Sequence, residues 1–575
     1  MYFFEGVKVK PKAPWSKYYK EGAMDIKETN ESLYSYVEKK VSQFAKCYCI
    51  DYYGNQIRYN EFLKMIDNCA KSFYNSGIRK GDIVTICLPN TLEAIVSFLA
   101  TNKIGAIANF IHPSCSENEL RDSLEETNCK VLVVVDKNFI KIKNIIEEID
   151  VSKVVLVNVG TYMSWTNKIR HSFKEKNKIK FSKDGICCWW NNFISMFEKS
   201  KINNYTYEGN KDNPALILHS GGTTGSPKGV VLSNNNVISY IEMSMVEEEY
   251  LVSGDVILTV MPISHALGLI HSVIYSLCKG MKVVLRAKFE VKEYCKMIKK
   301  YKPQVLVGVP TMYEYMLKEW NDTDFKLDFL KNCLVSGDLL KPELRAKVNS
   351  FFKKHGSDVR IIQGYGLTEA SGGAIHEINI EKPNTIGIPF PGVYVGIFSK
   401  EDEELPYGEE GEICVCGPTV MIGYYKKEEE TKSALHVHKD GNIWLHTGDV
   451  GVMDEDGFVT YISRLKRMIV SSGYNVYPNR IEKLLELHPE VMKCVVVGVE
   501  HKYKVEDPKA FITLKNKAYA KRELLIKELK EICAKNLPKY SWPYKYEFIE
   551  EFPITRVGKV DFKKLQKYKE ENDIK

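Results

Sequence analysis

Short apolar, β-branched runs alternate with longer stretches of helical periodicity through much of the chain. Ile83–Leu88 and Val131–Val135 are apolar throughout, the pattern of strands buried on both faces, and Leu92–Ile104 between them reads as a helix. Further strands are predicted at Val154–Leu156, Ala215–Leu218, Val283–Leu285, Val305–Val309 and Val359–Ile362. Strand–helix alternation of this kind predicts βαβ units and parallel sheets, with ligands beyond the carboxyl ends of the strands. A helix is also predicted from Ser32 onward. The periodicity changes toward the end of the chain, where residues 467–575 read as a compact, lysine-rich α+β segment. In it, Lys521–Asn536 places Leu525, Leu529, Ile532 and Cys533 on one helical face.

A chain of 575 residues exceeds what one core supports, so two or three domains are expected. Hydrophobic residues make up 44% and charged residues 27%, which is ordinary globular composition. A net charge of +7 over this length gives no argument for nucleic acid as a partner. The 15 cysteines include no Cys-x-x-Cys pair, so neither a zinc site nor a disulfide framework is expected, and a reducing cytoplasm fits. The opening Met1–Lys8 lacks the features of a signal peptide. The longest apolar runs, such as Ala266–Cys278, are too short to span a bilayer.

The strand at Ala215–Leu218 leads into Ser220-Gly-Gly-Thr-Thr-Gly-Ser-Pro-Lys-Gly-Val230. Glycines let the backbone turn tightly and approach a ligand, and successive N–H groups in such a turn form a nest for oxygen anions. Ser220, Thr223 and Thr224 add hydroxyl donors, Gly222 and Gly225 add freedom, and Lys228 adds positive charge. This is the chemistry of a polyphosphate loop. It differs from a Walker loop, because Pro227 precedes the lysine and Gly229 follows it.

The loop resembles the phosphate-loop signature of the adenylate-forming superfamily, which contains acyl-CoA synthetases, adenylation domains and luciferases. Other stretches follow in that superfamily's order. Val335-Ser-Gly-Asp338 resembles its adenine-contacting turn, with a departure at Ser336, and Gly337 would let adenine lie against backbone. Gln363-Gly-Tyr-Gly-Leu-Thr-Glu369 resembles the segment that holds adenine, α-phosphate and metal. In that reading Gly364 and Gly366 free the backbone, Tyr365 offers an aromatic face, Thr368 a hydroxyl and Glu369 a hard oxygen ligand for Mg2+. His265, in Val260-Met-Pro-Ile-Ser-His265, would line the acyl pocket. Asp449, in Leu445-His-Thr-Gly-Asp449, would accept from the ribose hydroxyls, with Arg464 as a second ribose contact.

Ser463-Arg-Leu-Lys-Arg-Met-Ile469 resembles the superfamily's hinge, with departures at Ser463 and Arg467, and makes Lys466 the pivot. Gly473 would line the thiol tunnel, and Lys559, in Pro553-Ile-Thr-Arg-Val-Gly-Lys559, would be the mobile catalytic lysine. The resemblance therefore implies an α/β fold. Its large N-terminal AMP-binding domain (1–463) is built of α/β subdomains with mixed and parallel sheets. A hinge (464–466) and a small, mobile α+β catalytic domain (467–575) follow.

The implied reaction has two halves. A carboxylate attacks the α-phosphate of ATP and expels pyrophosphate, with Lys228, Thr224, Glu369, Mg2+ and Lys559 serving that step. A thiol then displaces AMP. The Pro262-Ile-Ser-His265 turn carries no carboxylate to pair a substrate ammonium, which disfavours amino acids. No carrier domain follows Lys575 in this sequence, so coenzyme A is the expected acceptor. The opening at Pro14-Trp-Ser-Lys-Tyr-Tyr19 resembles those of bacterial long-chain fatty-acid–CoA ligases, which favours fatty acids. An aryl-CoA ligase, a carrier-loading ligase and a non-enzymatic acyl-adenylate sensor are the alternatives. Residues 161–184 are strongly basic, with Trp165, Ile169 and Phe173 at helical spacing. They read either as a peripheral membrane contact or as an insertion packed on the body. Oligomeric state is not legible.

Overall fold

The computed structural model describes residues 7–26, 29–149, 151–172, 185–198, 205–220, 228–377, 381–471, 474–501, 505–516, 521–554 and 560–568. Two compact units emerge. One comprises Met1–Val395, Val415–Leu445 and Asp456–Phe458; the other comprises Gly396–Cys414, His446–Glu455 and Val459–Lys575.

The first unit is built on two large sheets. In the eight-stranded one, Pro214–Ser220, Ile107–Phe110, Ile83–Cys87, Val131–Val135, Lys153–Val157 and Cys187–Trp189 run parallel in that order. Lys228–Ser233 and Gly423–Tyr424 add antiparallel strands beyond Pro214–Ser220. The nine-stranded sheet has a parallel centre of Tyr48–Tyr52, Lys282–Leu285, Val256–Thr259, Val305–Gly308, Asn332–Val335 and Ile361–Tyr365. Antiparallel edges close it at both ends. The α/β class with mixed and parallel sheets is therefore as expected. Central strands such as Val131–Val135 are buried at every position, so their side chains are apolar on both faces.

Local chemistry sets the helix starts. Thr91 caps Leu92–Lys103, and Ser116 with Glu119 forms a capping box on Glu117–Thr127. The predicted strand at Val359–Ile362 sits further along the chain, at Ile361–Tyr365, which carries Gly364 and Tyr365 onto the sheet itself. The apolar run after His265 winds as a π-helix, Leu267–Tyr275. Trp15 is fully buried. Trp165 begins the helix Trp165–Ser172 and is 77% exposed, while Phe173 and the rest of the basic segment to 184 lie outside the described residues.

In the second unit, Val491–His501 and Val505–Leu514 form a long antiparallel pair, flanked by Ile469–Ser471 and by Lys545–Phe548, which runs parallel. Pro478–Leu485 and Arg522–Asn536 contribute Ile481, Leu485, Leu525, Leu529 and Cys533 to its core. Among the described residues no helix is long and apolar enough to cross a membrane.

Candidate adenylate-forming site

Pro214–Ser220 and Lys228–Ser233 pair in antiparallel register, with Ser220 opposite Lys228. These two residues flank the glycine-rich loop; Gly222, Thr223, Thr224 and Gly225 lie outside the described residues. Just before Ser220, His219 Nε2 meets Asn109 Oδ1 at 2.8 Å. Asn109 spends its own N–H groups on Thr85 Oγ1 (3.1 Å) and Ser123 Oγ (3.2 Å), so its oxygen accepts and His219 must donate. Burial pushes His219 down to about 4, so the ring beside the loop is neutral at pH 7.

Gly423–Tyr424 pairs with Val230 and Val231, which brings Tyr424 alongside the strand that leaves the loop. Lys228 Nζ stands 4.6 Å from the centre of the Tyr424 ring, a cation–π contact. The Tyr424 hydroxyl donates to Glu369 Oε1 at 3.0 Å. Burial first, and then the Glu369 charge, raise that hydroxyl well above the ordinary tyrosine range. Tyr424 thus joins the loop lysine to the metal-ligand candidate. Sequence reasoning missed it: Gly-Tyr-Tyr at the end of an apolar run carries no sign of the strand pairing that places it.

Gly364 and Tyr365 end the strand Ile361–Tyr365, and Thr368 and Glu369 lie in the 3-10 turn that follows. Gly366 is required by packing, because an added Cβ would fall 2.2 Å from the Gly372 carbonyl oxygen. Gly337 has φ +84°, so the turn after Asn332–Val335 needs glycine for its conformation. His265 is half-buried just ahead of the π-helix, with its ring 6.3 Å from that of His112.

In the second unit Asp449 faces Arg464 across the hairpin of Ile443–Met453 and Val459–Arg464. Arg464 Nε lies 3.0 Å from Oδ1 of the buried Asp449, an ion pair. The turn before Asp449 is held from behind. Glu412 accepts from Gly448 N–H at 2.7 Å and from His446 Nδ1 at 2.8 Å, and Thr447 Oγ1 accepts from Asp449 N–H at 3.1 Å. Glu412 is another residue that sequence reasoning did not single out.

Lys466 lies in the 3-10 turn Leu465–Arg467, its side chain outside the described residues, as are Gly473 and Lys559. Arg467, where the superfamily's hinge carries an acid, is tied to Glu482 and donates to Asn479 Oδ1 at 2.8 Å. Its guanidinium also lies 4.1 Å from the centre of the Phe562 ring. Arg467 is thus held by the second unit's own helix Pro478–Leu485 and by Phe562. Ile554 and Val560, on either side of the Lys559 segment, are bridged.

The model of the AMP-binding enzyme family matches residues 37–425, and that of the AMP-binding enzyme C-terminal domain matches 480–559. A long-chain-fatty-acid–CoA ligase of Bacillus subtilis (strain 168) is 32% identical over 571 residues, covering 97% of this chain and 98% of its own. A probable 4-coumarate–CoA ligase 2 of Dictyostelium discoideum is 32% identical over 466 residues, covering 80% and 81%. ATP-bound MatB from Rhodopseudomonas palustris superposes with TM-score 0.78 over 94% of this chain and 99% of its own, at 24% identity, a likeness of fold. The chain belongs to the AMP-binding enzyme family, among the acyl-CoA synthetases of the adenylate-forming superfamily.

Proposed function

We propose that this acyl-CoA synthetase activates a medium- or long-chain fatty acid and passes it to coenzyme A. The observation that carries the choice of acid is the likeness, along 97% of the chain, to a protein named for long-chain fatty acids. The Pro262-Ile-Ser-His265 turn supports it, because a substrate ammonium would find no carboxylate there.

In the first half-reaction the acid's carboxylate oxygen attacks the α-phosphorus of ATP, the bond to the β-phosphate breaks, and pyrophosphate leaves with its electron pair. The chain's task is positioning and neutralising charge. Ser220, Gly222, Thr223, Thr224, Gly225 and Lys228 hold the departing pyrophosphate. Gly337, Gly364, Tyr365, Gly366 and Thr368 hold adenine and α-phosphate, and Asp449 with Arg464 holds the ribose. The buried Asp449 carboxylate beside Arg464 supports that last role.

Glu369 is the residue that would hold Mg2+. Its donor chemistry fits: a half-buried, hard carboxylate oxygen pair, one member fixed by the Tyr424 hydroxyl. When bound, the ion neutralises phosphate charge. Lys559 steadies the attacking carboxylate and the α-phosphate. Rotation about Lys466 of a C-terminal domain, residues 467–575, then withdraws it. Gly473 lines the thiol's path, and the CoA sulfur attacks the acyl carbon and releases AMP.

A cytoplasmic setting suits a chain of fifteen scattered cysteines with no Cys-x-x-Cys pair. Exposed Trp165, Lys168 and Arg170 support a peripheral membrane contact. Liposome co-sedimentation that survives deletion of 161–184 intact would reject that contact.

The deciding experiment is a panel of alkyl and aryl carboxylates with ATP and Mg2+, read as AMP formed with and without coenzyme A. Sustained AMP formation only with a fatty acid and coenzyme A is expected. Turnover confined to aryl acids, or a need for a phosphopantetheinyl protein in place of coenzyme A, would overturn the proposal.

A further inference from the structure

Two histidines stand past the carboxyl ends of strands from the first unit's two large sheets. His112 follows Ile107–Phe110 of the eight-stranded sheet, and His265 follows Val256–Thr259 of the nine-stranded one. Their ring centres are 6.3 Å apart, with the planes 33° off parallel. Asn90, past Ile83–Cys87, ties the sheets together here. Its Nδ2 donates to the Met261 carbonyl and its Oδ1 accepts from Ile263 N–H, both at 2.9 Å. Asn138 Nδ2 donates to the Pro113 carbonyl at 2.8 Å, which braces the turn that carries His112.

His112 has groups of the proposed site on two sides. Ile107–Phe110 runs parallel to Pro214–Ser220, with Phe110 opposite Leu218. Two residues further along each chain stand His112 and Ser220, and Ser220 opens the glycine-rich loop. Across from His112 is His265, the acyl-pocket candidate. The turn at His265 packs in its own right on the segment after Glu369, since an added Cβ at Gly372 would meet Ala266 at 2.9 Å. Ligands of open α/β sheets collect beyond such strand ends.

The His112 ring is arranged to donate. Ser114 N–H donates to its Nδ1 at 3.2 Å, so that nitrogen carries no proton. Burial holds the ring below the ordinary histidine range, so at pH 7 it is neutral and its one proton sits on Nε2. Among the described residues none receives that proton. The place is reachable from solvent: His112, His265, Met261, Pro262 and Leu267 are only half-buried. Rings with centres 6.3 Å apart leave room for one oxygen held about 2.8 Å from a ring nitrogen.

We propose that His112 is a catalytic residue whose Nε2–H donates to the acid's carboxylate oxygen that does not attack phosphorus. The inference rests on the adenylation reading above. In the first half-reaction the bond orients the acid, and a neutral donor leaves the attacking oxygen its charge. The bonded oxygen then becomes the carbonyl oxygen of the adenylate. In the second half the CoA thiol gives its proton to solvent and its sulfur adds to the acyl carbon. The carbonyl electron pair moves onto the oxygen that His112 holds. The pair returns as the bond to the AMP oxygen breaks, and AMP leaves with those electrons. His112 keeps its proton throughout. It therefore serves both halves, whereas Lys559 is withdrawn for the second.

The test uses the full chain with Mg2+ and a fatty acid that the wild-type protein turns over, each half followed separately. One assay reads pyrophosphate released from acid and ATP; the other reads thioester formed from supplied acyl-adenylate and coenzyme A. His112→Phe keeps a ring without the donor, and His112→Gln returns an N–H near the place of Nε2. His112→Phe should slow both halves at least about tenfold, the scale of a lost oxyanion donor, with KM for ATP within about twofold of wild type. His112→Gln should recover most of that loss. If His112→Phe melts below the wild type, His112→Leu is read in its place. A wild-type rate in either half, or a loss that His112→Gln shares while melting like the wild type, overturns the inference and leaves adenylation standing. AMP formation from no acid by the wild-type chain would fell both.

Discussion

Tyr424 holds Glu369 by a single hydroxyl, at 3.0 Å, while its ring receives Lys228. Tyr424→Phe keeps the ring and removes only the donor. The account predicts a fold loss near 1 kcal/mol, the usual worth of one hydrogen bond. It also predicts a clear rise in the Mg2+ concentration needed for half-maximal rate, measured by steady-state kinetics at fixed ATP. An unchanged Mg2+ dependence would detach Tyr424 from the metal role. Glu93 gives a second test at this scale. It is fully buried, and burial pushes it from 4.5 up to about 8 against the weaker opposing pull of nearby hydrogen-bond donors. Between those values the folded chain keeps a proton that the unfolded chain has lost, so stability falls as pH rises through that window. Glu93→Gln should flatten this slope and stabilise the protein by on the order of 3 kcal/mol at pH 7, seen by denaturant melts across pH. In the sequence Glu93 looks like an ordinary first-turn acid. Burial of the whole helix Leu92–Lys103 is a tertiary fact that its neighbours do not announce.

Among elements, the strands were the most legible, since β-branched runs such as Val131–Val135 have few other uses. The π-helix was not legible. The run from Ala266 is apolar on nearly every side, so no periodicity separates one winding from another. The Gln363–Glu369 motif was found in the sequence, yet its two glycines answer to different demands. At Gly366 an added Cβ would strike backbone at 2.2 Å, whereas at Gly364 it would meet side chains alone, the end of Leu334 at 3.3 Å and Ser336 at 3.9 Å. Gly366→Ala should therefore destabilise by about 3 kcal/mol or more, with a matching fall in melting temperature. Gly364→Ala should fold nearly normally and, if adenine approaches the backbone there, raise KM for ATP. Equal melting temperatures for the two variants would contradict this division. Tyr424 and Glu412 escaped notice for one shared reason: each acts through a partner far away in sequence, Glu369 and the 446–448 turn, which only the tertiary fold brings within reach.

Taken whole, the chain keeps the Lys228–Tyr424–Glu369 constellation in one compact unit and the Asp449–Arg464 pair in the other. Lys559, proposed to act on the first half-reaction and withdraw for the second, yields a prediction at this scale. Lys559→Ala should lose adenylation by several orders of magnitude yet largely retain thioester formation from supplied acyl-adenylate, each half followed separately by rapid quench. Equal loss of both would contradict a lysine that serves one half alone. Everything above depends on a carboxylate attacking the α-phosphate. The measurement that meets this most directly is turnover of an acid labelled with oxygen-18 in its carboxylate, with the products weighed by mass spectrometry. The account predicts one labelled oxygen in AMP and none in pyrophosphate; label in pyrophosphate or free phosphate, with AMP unlabelled, would contradict it.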